Sequence, residues 1–423
     1  MYRAPRGTAD ILPEEQRYWH YIETKARAIG HRYGYGRLET PVFENTGLFV
    51  RSVGQGTDIV EKEMYSFDDR GGDSMTLRPE GTAPVCRAYL EHGMRNLPQP
   101  VRLYYFSPAF RYERPQAGRY RQHHQFGVEA LGDGDPSVDA EVMEMAWLLM
   151  KDLGLANLTL LINSIGDPEC RPAYLEHLKD YYASRTESIC KDCKERLKRN
   201  PLRLLDCKQP TCIVIAQEAP RAVDHLCSEC RDHWEKLLSY LQELNVPFTV
   251  EPRLVRGLDY YTRTVFEIQP PEEGGQSTIC AGGRYDGLIQ ELDGPPTPGM
   301  GFAAGMERMV LNLKRQDVQV PEEDSIRALV AYLGDDAKEA AISLASQLRS
   351  KGMGAILAPA GRSLRSQLRY ANSMGIPYAL ILGEDEMKRG SVMLRDMAQG
   401  EQQEVPIHGV AEELNNQTNR DAP

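Results

Sequence analysis

Long apolar runs are missing from this sequence of 423 residues. A helix that crosses a membrane needs about 20 consecutive, mostly apolar residues, and the longest apolar stretches here have only the length of a strand. The N-terminus, MYRAPRGTADILPEEQ, also lacks the apolar segment that follows the basic residues of a secretory signal. We therefore expect a cytoplasmic protein without a membrane partner.

An excess of positive charge is absent as well. The formal net charge is -11, whereas nonspecific affinity for nucleic acids comes mostly from a basic surface. The charge balance argues against indiscriminate binding of polyanions, and we expect no DNA partner. It leaves room for a specific RNA that meets local basic surfaces.

Two common phosphate-binding motifs are not found. Neither the P-loop pattern G-x-x-x-x-G-K-[ST] nor G-x-G-x-x-G occurs in the chain. The segment CAGGRYDGL does place paired glycines after a strand-like run. Such a pair permits close approach of the backbone to a ligand, and a simple glycine turn is the alternative.

Disulfides are not expected, because the nine cysteines occur in a chain of cytosolic character. Six of them lie between positions 190 and 230. Two C-x-x-C pairs, Cys190 with Cys193 and Cys227 with Cys230, would allow a tetrahedral zinc site. The gap between these pairs exceeds the usual spacing of about 15 to 20 residues. We therefore favour buried reduced thiols over structural zinc.

The order of predicted elements indicates an α+β fold in two parts. VRLYYFSPAFRYE and RQHHQFGVEALG predict a β-hairpin with a basic connecting link, and DPSVDAEVMEMAWLLMKDLG predicts a core-facing helix. Strand-rich sequence is interrupted by a helical, cysteine-rich block at about 167–245. After a proline-bearing acidic linker, apolar strands alternate with amphipathic helices, which predicts a small α/β domain over 326–423.

Three arginines stand in widely separated segments: Arg111 in FRYER, Arg256 in LVRGLDYYTRT and Arg308 in GMERMVL. A planar guanidinium that stays charged suits phosphate oxygens, and several converging guanidinium groups suit a polyphosphate. Surface salt bridging is the alternative for any one of them.

Two carboxylates stand in segments that are otherwise apolar or turn-like, Glu80 in TLRPEGT and Glu129 in FGVEA. They would suit an ammonium or another N–H-bearing ligand, and pairing with nearby arginines is an equal alternative. His123 and His124 are adjacent, so that on a strand they point to opposite faces. We expect neither histidine to be catalytic.

Taken together, these segments resemble the class II histidyl-tRNA synthetases. RGTADILPEE is similar to the N-terminal signature of that family, TLRPEGT with FRYERPQAGRYRQHHQFGVEALG to motif 2, and GMGFAAGMERMVL to motif 3. LVRGLDYYTRTVFE and AGGRYDGL resemble its two histidine-specific motifs, and GRSLRSQLRYANSMGIPYALILGEDE its anticodon-binding domain. The resemblance covers nearly the whole chain.

The resemblance implies a fold and a reaction. A class II catalytic domain, an antiparallel sheet flanked by helices, would span residues 1–325 with the helical insertion inside it, and the anticodon-binding α/β domain would span 326–423. The activity implied is that of a histidine-tRNA ligase, which forms histidyl-adenylate from histidine and ATP and transfers the histidyl group to the 3′ end of tRNA(His).

The resemblance also implies site residues. Arg111 and Arg256 would act at the α-phosphate of ATP and Arg308 at the γ-phosphate end, with Mg²⁺ on the β- and γ-phosphates. Glu113 and Tyr120 would join the ATP site. The residues implied for histidine binding are Glu80, Gly81, Thr82, Gln125, Glu129, Arg256, Tyr260, Tyr261, Gly282, Gly283 and Tyr285.

Two partners follow from the same resemblance. The link RPQAGRYRQ matches the motif 2 loop, so that Arg114, Arg119 and Arg121 are expected to contact the acceptor end of the tRNA. RLETPVFENTGLF occupies the place of motif 1, which implies a homodimer built partly on that segment. Cysteine content varies within the family, and the resemblance implies nothing about zinc.

Three other functions would account for parts of the sequence. A non-catalytic, synthetase-like regulatory subunit of ATP phosphoribosyltransferase usually lacks motif residues and the C-terminal domain, which are present here. A class II enzyme that charges another amino acid would not share the histidine-specific motifs. A zinc-dependent RNA-binding module would depend on the cysteine block.

Overall fold

The computed structural model describes residues 2–54, 56–115, 118–271, 278–321 and 326–421, with side chains as far as residue 417. The chain divides into two compact units, Met1–Val320 and Pro321–Pro423. The boundary expected between residues 325 and 326 borders residues that are not described, so it stays a prediction. No helix in the described ranges has the length and apolar character that a membrane span requires.

The first unit contains eleven strands and ten α-helices among its described residues. The strands are β1 Gly36–Arg37, β2 Phe43–Asn45, β3 Tyr65–Asp68, β4 Ser74–Leu77, β5 Val101–Phe110, β6 Gln122–Leu131, β7 Thr159–Ser164, β8 Thr249–Val250, β9 Thr262–Gln269, β10 Cys280–Arg284 and β11 Gly299–Gly305. The helices are α1 Pro13–Arg32, α2 Thr46–Val53, α3 Thr82–Glu91, α4 Pro136–Asp152, α5 Arg171–Ala183, α6 Lys191–Arg199, α7 Pro210–Gln217, α8 Ser228–Glu243, α9 Leu288–Glu291 and α10 Met306–Arg315.

An eight-stranded sheet organises this unit, in the order β1-β5-β6-β11-β10-β9-β7-β8. Its central pairs are antiparallel, and only the two outermost pairs, β1 with β5 and β7 with β8, are parallel. The predicted hairpin is confirmed as β5 and β6, which pair along their whole length. A separate small sheet has the order β2-β4-β3.

One face of the large sheet packs on α1, α4, α8 and α10 and forms a continuous apolar core. The core-facing helix predicted after Asp135 is confirmed as α4, because Asp135 caps it by accepting from the Ser137 N–H at 2.9 Å and Pro136 occupies its first turn. Burial of Val142, Met145 and Leu149 along one stripe fixes this helix against the sheet.

The predicted helical insertion lies between β7 and β8, where the chain forms α5 to α8. Side chains of α5, α6 and α7 join a second apolar core together with residues from β5, α3 and the segment before β9, whereas α8 packs into the first core. The insertion therefore packs directly against the segment that leads into β9.

The second unit confirms the small α/β fold. Its elements are β12 Ala328–Tyr332, α11 Asp335–Ser350, β13 Ala355–Leu357, α12 Leu364–Ser373, β14 Tyr378–Leu382, α13 Glu384–Arg389, β15 Ser391–Asp396, β16 Gln402–Pro406 and α14 Val410–Asp421. The sheet order is β13-β12-β14-β15-β16. Strands β13, β12 and β14 are parallel to one another, whereas β15 is antiparallel to both of its neighbours, β14 and β16. The unit has an apolar core of its own.

Candidate active site

Cross-strand register decides which side chains share a face of the large sheet. Residues directly opposite each other in antiparallel pairs point to the same side. Glu129 lies opposite Leu103 on β5 and Gly301 on β11, and Gly301 lies opposite Gly283 on β10. We call the face that carries these residues the site face. The intervening positions point into the apolar core and include Phe126, Val128, Phe266, Met300 and Phe302.

The three arginines from distant segments converge beside the site face. Arg111 follows β5, Arg256 precedes β9 and Arg308 lies in the first turn of α10. The pKa of Arg308 is lowered, first by burial and then by the positive charges of Arg119, Arg256 and Arg111. Burial also lowers the pKa of Arg111, and Arg256 adds to that effect. Such mutual effects require close approach, so the structure gathers the three positive charges into one site.

The guanidinium groups are only partly engaged by the protein. The Nε groups of Arg111 and Arg308 donate to backbone carbonyls at 2.8 and 3.0 Å. Arg256 forms an ion pair with Glu267 on β9, yet its buried Nε has no hydrogen-bond partner among the described residues. Since each guanidinium offers five N–H donors, capacity for a polyanionic ligand remains.

Glu80 holds the N-terminus of α3. Its carboxylate accepts from the backbone N–H of Thr82 at 2.6 Å and of Ala83 at 2.8 Å. Burial raises the pKa of Glu80, while these two amide bonds and the positive charge of Arg111 oppose that rise. The structure thus gives Glu80 a capping role that the sequence did not indicate, and its contact with a ligand ammonium stays a prediction.

Glu129 lies at the centre of a ring of hydroxyl groups. Thr82 donates to its carboxylate at 2.8 Å and Tyr105 at 3.0 Å, and Tyr285 forms a third, short hydrogen bond. The side chain is buried, and burial raises its pKa to about 8 although the three hydroxyls act in the opposite direction. An acceptor of this kind suits a ligand that brings its own N–H donor.

Tyr260 and Tyr261 lie beside this carboxylate with mutually tilted rings whose centroids are 4.7 Å apart. Both rings are buried. The paired glycines make room for the protein's own chain: a Cβ on Gly283 would lie 2.9 Å from the Tyr261 ring, and one on Gly282 would lie 2.1 Å from the carbonyl of Gly301. The close approach of their backbone to a ligand stays a prediction.

The two adjacent histidines point to opposite faces, as expected. His123 lies on the site face, where burial and then the charges of Arg111 and Arg308 lower its pKa to about 3. It is therefore neutral at physiological pH. His124 faces the helices, and both its backbone N–H and its ring Nδ1 contact the carboxylate of Glu307, at 2.9 and 2.8 Å.

Unpaired polar atoms also mark the site face. Gln125 on β6 lies directly opposite Ser107 on β5. The Gln125 Oε1 and the Ser107 Oγ are buried and find no hydrogen-bond partner within the described residues. Leaving such a group unsatisfied costs about 1 to 3 kcal/mol, which favours a polar ligand at this position. Ser107 was not among the predicted site residues.

The two further candidates for the ATP site flank Arg111. Glu113 is buried, its carboxylate lies 4.0 Å from a terminal nitrogen of Arg111, and it forms an ion pair with Arg119. The backbone of Tyr120 acts on the pKa of His123 in the direction opposite to the arginines, so it lies near that ring. Both residues thus lie beside the converging arginines.

The link between β5 and β6 carries the three predicted tRNA contacts. Arg114 is exposed, Arg119 is 40% exposed and pairs with Glu113, and the guanidinium of Arg121 lies 3.8 Å above the ring of Tyr112. Residues 116 and 117 of this link lie outside the described residues. Contact of these arginines with RNA stays a prediction.

Tyr105 is the clearest residue that the sequence interpretation missed. Besides its hydrogen bond to Glu129, its ring occupies the space where a Cβ on Gly81 or Gly127 would lie, at 2.4 and 2.3 Å. The signal was present, because the predicted hairpin places Tyr105 directly opposite Gly127. A glycine facing a tyrosine across a hairpin indicates a ring lying flat on the sheet.

Arg284 of the motif AGGRYDGL was also overlooked. It is fully buried on the helix side of the sheet and pairs with Asp139 of α4 and, at 3.0 Å, with Asp286. His233 of α8 contacts the same Asp139 at 3.2 Å. This network fixes β10 to α4 and to the insertion, and it does not reach the site face.

The cysteines are grouped differently from the expectation. The structure separates the pair Cys190 and Cys193 from the pair Cys227 and Cys230, because helices α6 and α8 pack into different apolar cores. Sulfur and oxygen ligand atoms instead gather in two clusters, each within 4.8 Å throughout. Their members are Cys190, Cys193, Cys207 and Cys212 in the first and Asp167, Cys170, Cys227 and Cys230 in the second.

Comparison with known proteins agrees with this site. A family model of histidyl-tRNA synthetase matches residues 7–309, and a model of an anticodon binding domain matches residues 327–417. The histidine–tRNA ligase of Dehalococcoides mccartyi is 57% identical over 417 residues, covering 99% of this chain and 100% of the relative. That of Pelotomaculum thermopropionicum is 53% identical over 410 residues, covering 97% of this chain and 96% of the relative.

Solved structures give the same result. The crystal structure of apo S. aureus histidyl-tRNA synthetase superposes with a TM-score of 0.82 at 38% identity, and the match covers 98% of this chain and 100% of that chain. A family model over most of the chain, relatives that match along nearly their full length and a shared fold lead to one conclusion: the chain belongs to the histidyl-tRNA synthetase family.

Proposed function

We propose that this protein is a histidine-tRNA ligase, which activates L-histidine with ATP and transfers the histidyl group to the 3′ end of tRNA(His). The observation that carries the proposal is the convergence of Arg111, Arg256 and Arg308 beside the hydroxyl-ringed carboxylate of Glu129. The first group suits a polyphosphate and the second an amino acid with a ring N–H, so that one face of the sheet holds both substrates.

The first step requires positioning and charge neutralisation more than a protein base. A carboxylate oxygen of histidine bonds to the α-phosphorus of ATP while the bond from that phosphorus to the bridging oxygen breaks, and pyrophosphate leaves. We assign Arg111 and Arg256 to the α-phosphate and Arg308 to the γ-phosphate end. Negative charge that develops on the phosphate oxygens would then meet fixed cations.

ATP enters as its magnesium complex. Two carboxylates beside the arginines, Glu113 and Glu267, each already pair with an arginine. We therefore assign Mg²⁺ chiefly to the β- and γ-phosphate oxygens and water, as Mg²⁺ usually retains several waters.

Histidine would lie over the site face. We assign its imidazole to Glu129 and Tyr261 and its ammonium to Glu80, Thr82 and Gln125. The remaining wall is formed by Gly81, Tyr260, Gly282, Gly283 and Tyr285. An analogue without a ring N–H would leave the Glu129 acceptor unpaired, which is the physical basis for selectivity.

In the second step, a ribose hydroxyl of the terminal adenosine attacks the acyl carbon and AMP leaves. We assign Arg114, Arg119 and Arg121 to the tRNA backbone, since phosphate contacts position RNA without reading its sequence. The second unit, which matches an anticodon binding domain, would contact the other end of the tRNA. A cytoplasmic location fits this role.

We also propose a homodimer built partly on the segment around β2. In the small sheet, Phe43 is 52% exposed and Phe67 is 45% exposed, and their rings contact each other. Val42 beside them is exposed as well. A cluster of exposed apolar side chains is characteristic of a surface that is covered in an assembly.

The test is histidine-dependent exchange of pyrophosphate into ATP by the purified protein without tRNA, with the other amino acids as controls. Exchange with histidine alone is expected. A folded protein that binds histidine without exchange would instead be the regulatory subunit considered above, which the three retained arginines and the second unit argue against.

A further inference from the structure

We propose that the cysteine cluster of the insertion, Cys190, Cys193, Cys207 and Cys212, is a structural zinc site with four thiolate ligands. The four sulfur atoms all lie within 4.8 Å of one another. The Sγ atoms of Cys190 and Cys207 are 3.8 Å apart. With Zn–S bonds of about 2.3 Å, the edge of a tetrahedral site is about 3.8 Å, so this pair already has the required separation.

The chain is folded so that each half of the cluster comes from one turn. Cys190 precedes α6 and Cys193 lies in its first turn, while Cys207 precedes α7 and Cys212 lies in its first turn. The spacing is Cys-x₂-Cys, then 13 residues, then Cys-x₄-Cys. Two-ligand turns of two to four intervening residues are typical of structural zinc sites. The nearer Cys207 and Cys212, rather than Cys227 and Cys230, complete the set.

The surroundings support a bound metal. Cys193, Cys207 and Cys212 are buried, and all four residues are free thiols. The backbone N–H of Cys190 points at the Sγ of Cys212 at 3.3 Å, which is the outer hydrogen bond that a coordinated thiolate accepts. Four thiolates around Zn²⁺ carry a net double negative charge, and α6 supplies basic neighbours in Lys191 and Lys194.

The second cluster does not carry the same proposal. One oxygen of Asp167 accepts from the backbone N–H groups of Glu169 and Cys170, at 3.0 and 3.3 Å. The other oxygen pairs with Arg263 at 3.2 Å. Because this carboxylate is already satisfied within the protein, the four-thiol cluster is the stronger candidate of the two found among the described residues.

The proposed zinc has a structural consequence for the active site. Cys193, Cys207 and Cys212 belong to the same apolar core as Val255 and Tyr261, the residues on either side of Arg256 in this segment. Asn200, between the two cysteine turns, also donates to Asp259 at 2.8 Å. The metal would hold together the part of the insertion against which the Arg256 segment packs.

The experiment measures metal on the full-length protein. Zinc content is determined for the wild-type chain, for Cys207→Ser and for the matched variant Cys227→Ser, which removes a thiol from the second cluster only. Chelator-treated wild-type protein is then titrated with Co²⁺, whose visible absorption reports tetrahedral thiolate ligation. Alkylation followed by mass spectrometry compares each cysteine with and without zinc.

We expect Cys207→Ser to lose one zinc per chain that Cys227→Ser retains, and zinc to protect the four cysteines of the first cluster from alkylation. If Cys207→Ser does not fold, the cobalt spectrum and the alkylation pattern of the wild-type chain decide. The proposal is overturned if cobalt gives no thiolate spectrum, if zinc leaves the alkylation of these four cysteines unchanged, or if Cys227→Ser alone loses metal. None of these readouts depends on ligase activity.

Discussion

Arg256 is half-buried, pairs with Glu267 on one side and leaves its buried Nε without a partner among the described residues. If it stabilises charge that develops at the α-phosphate, Arg256→Ala should slow adenylate formation by about 10²- to 10³-fold. Histidine binding should change far less. Single-turnover consumption of ATP and equilibrium binding of histidine measure the two effects separately.

The matched control is Arg253→Ala, since Arg253 lies three positions earlier and pairs with Glu251 at 3.0 Å. We expect this variant to keep both properties. Equal losses of activation and of histidine binding in Arg256→Ala would contradict the role assigned to Arg256.

The buried carboxyl group of Glu129 makes the stability of the folded protein depend on pH. Its pKa rises from an ordinary value of 4.5 to about 8 in the folded chain. Folding therefore favours the protonated form of Glu129. The stability that this form contributes is fully present below pH 4.5 and is lost as the pH rises through about 8. In Glu129→Gln this loss is absent, so the variant should gain stability relative to wild type as the pH rises through this window, by about 1.4 kcal/mol per pH unit at most.

Unfolding in urea at pH 5, 6, 7 and 8 measures that difference, with histidine absent. A difference in stability that does not change with pH would show that Glu129 is already ionised in the folded protein. Histidine binding by Glu129→Gln should be weakened most above pH 8, where wild-type Glu129 is ionised, because the amide is a poorer acceptor for a ring N–H than the carboxylate.

The role of a residue was predictable from the sequence where its side-chain chemistry suits the function of the motif in which it stands. Arg111, Arg256 and Arg308 could be grouped because each stands in a recognisable motif, and the structure brings them together. Tyr105 and Arg284 were missed, since their roles depend on which residue lies across a strand pair and which helix lies below it. That Tyr105 lies opposite Gly127 can be inferred from the sequence only once the register of the hairpin is known.

At the scale of elements, β11 depends on having no side chain at Gly301. A Cβ there would lie 2.0 Å from a carboxylate oxygen of Glu129 and 2.4 Å from the carbonyl of Val128. Gly301→Ala should therefore displace Glu129, reduce kcat/KM for histidine by about tenfold or more, and lower the free energy of unfolding by about 1 to 3 kcal/mol.

Gly287→Ala is the control for this strand variant, because no atom lies within 4 Å of a Cβ at that position. Pyrophosphate exchange and urea unfolding of both variants test the prediction. Wild-type affinity for histidine in Gly301→Ala would show that the strand can shift without moving Glu129.

The elements themselves were largely predictable, because the spacing of apolar residues and the residues that begin or end an element indicate the same boundaries. The alternation in β5 and β6 and the capped start of α4 gave correct strands and a correct helix. The cysteine grouping could not be predicted in this way. The sequence offered the two C-x-x-C pairs as possible ligands of one zinc, and the long gap between them argued against that site. The packing of α6 and α8 into different cores separates the pairs.

At the scale of the whole molecule, the two units have separate apolar cores. A chain that ends at Val320 should therefore fold and retain histidine-dependent pyrophosphate exchange within about tenfold of the full-length rate. Its charging of tRNA(His) should fall by more than that, because the unit that matches an anticodon binding domain is removed. Exchange and aminoacylation assays on the same preparation test this, and equal losses in the two assays would contradict it.

The two faces of the large sheet also separate two kinds of evolutionary change. Along β6, every second side chain, such as Phe126 and Val128, enters the apolar core, and those between them, such as Gln125 and Glu129, lie on the site face. We expect substitutions at the first set to alter the melting temperature and substitutions at the second to alter which substrate is preferred. A lineage can thus adapt to a hotter habitat without changing the amino acid that it charges.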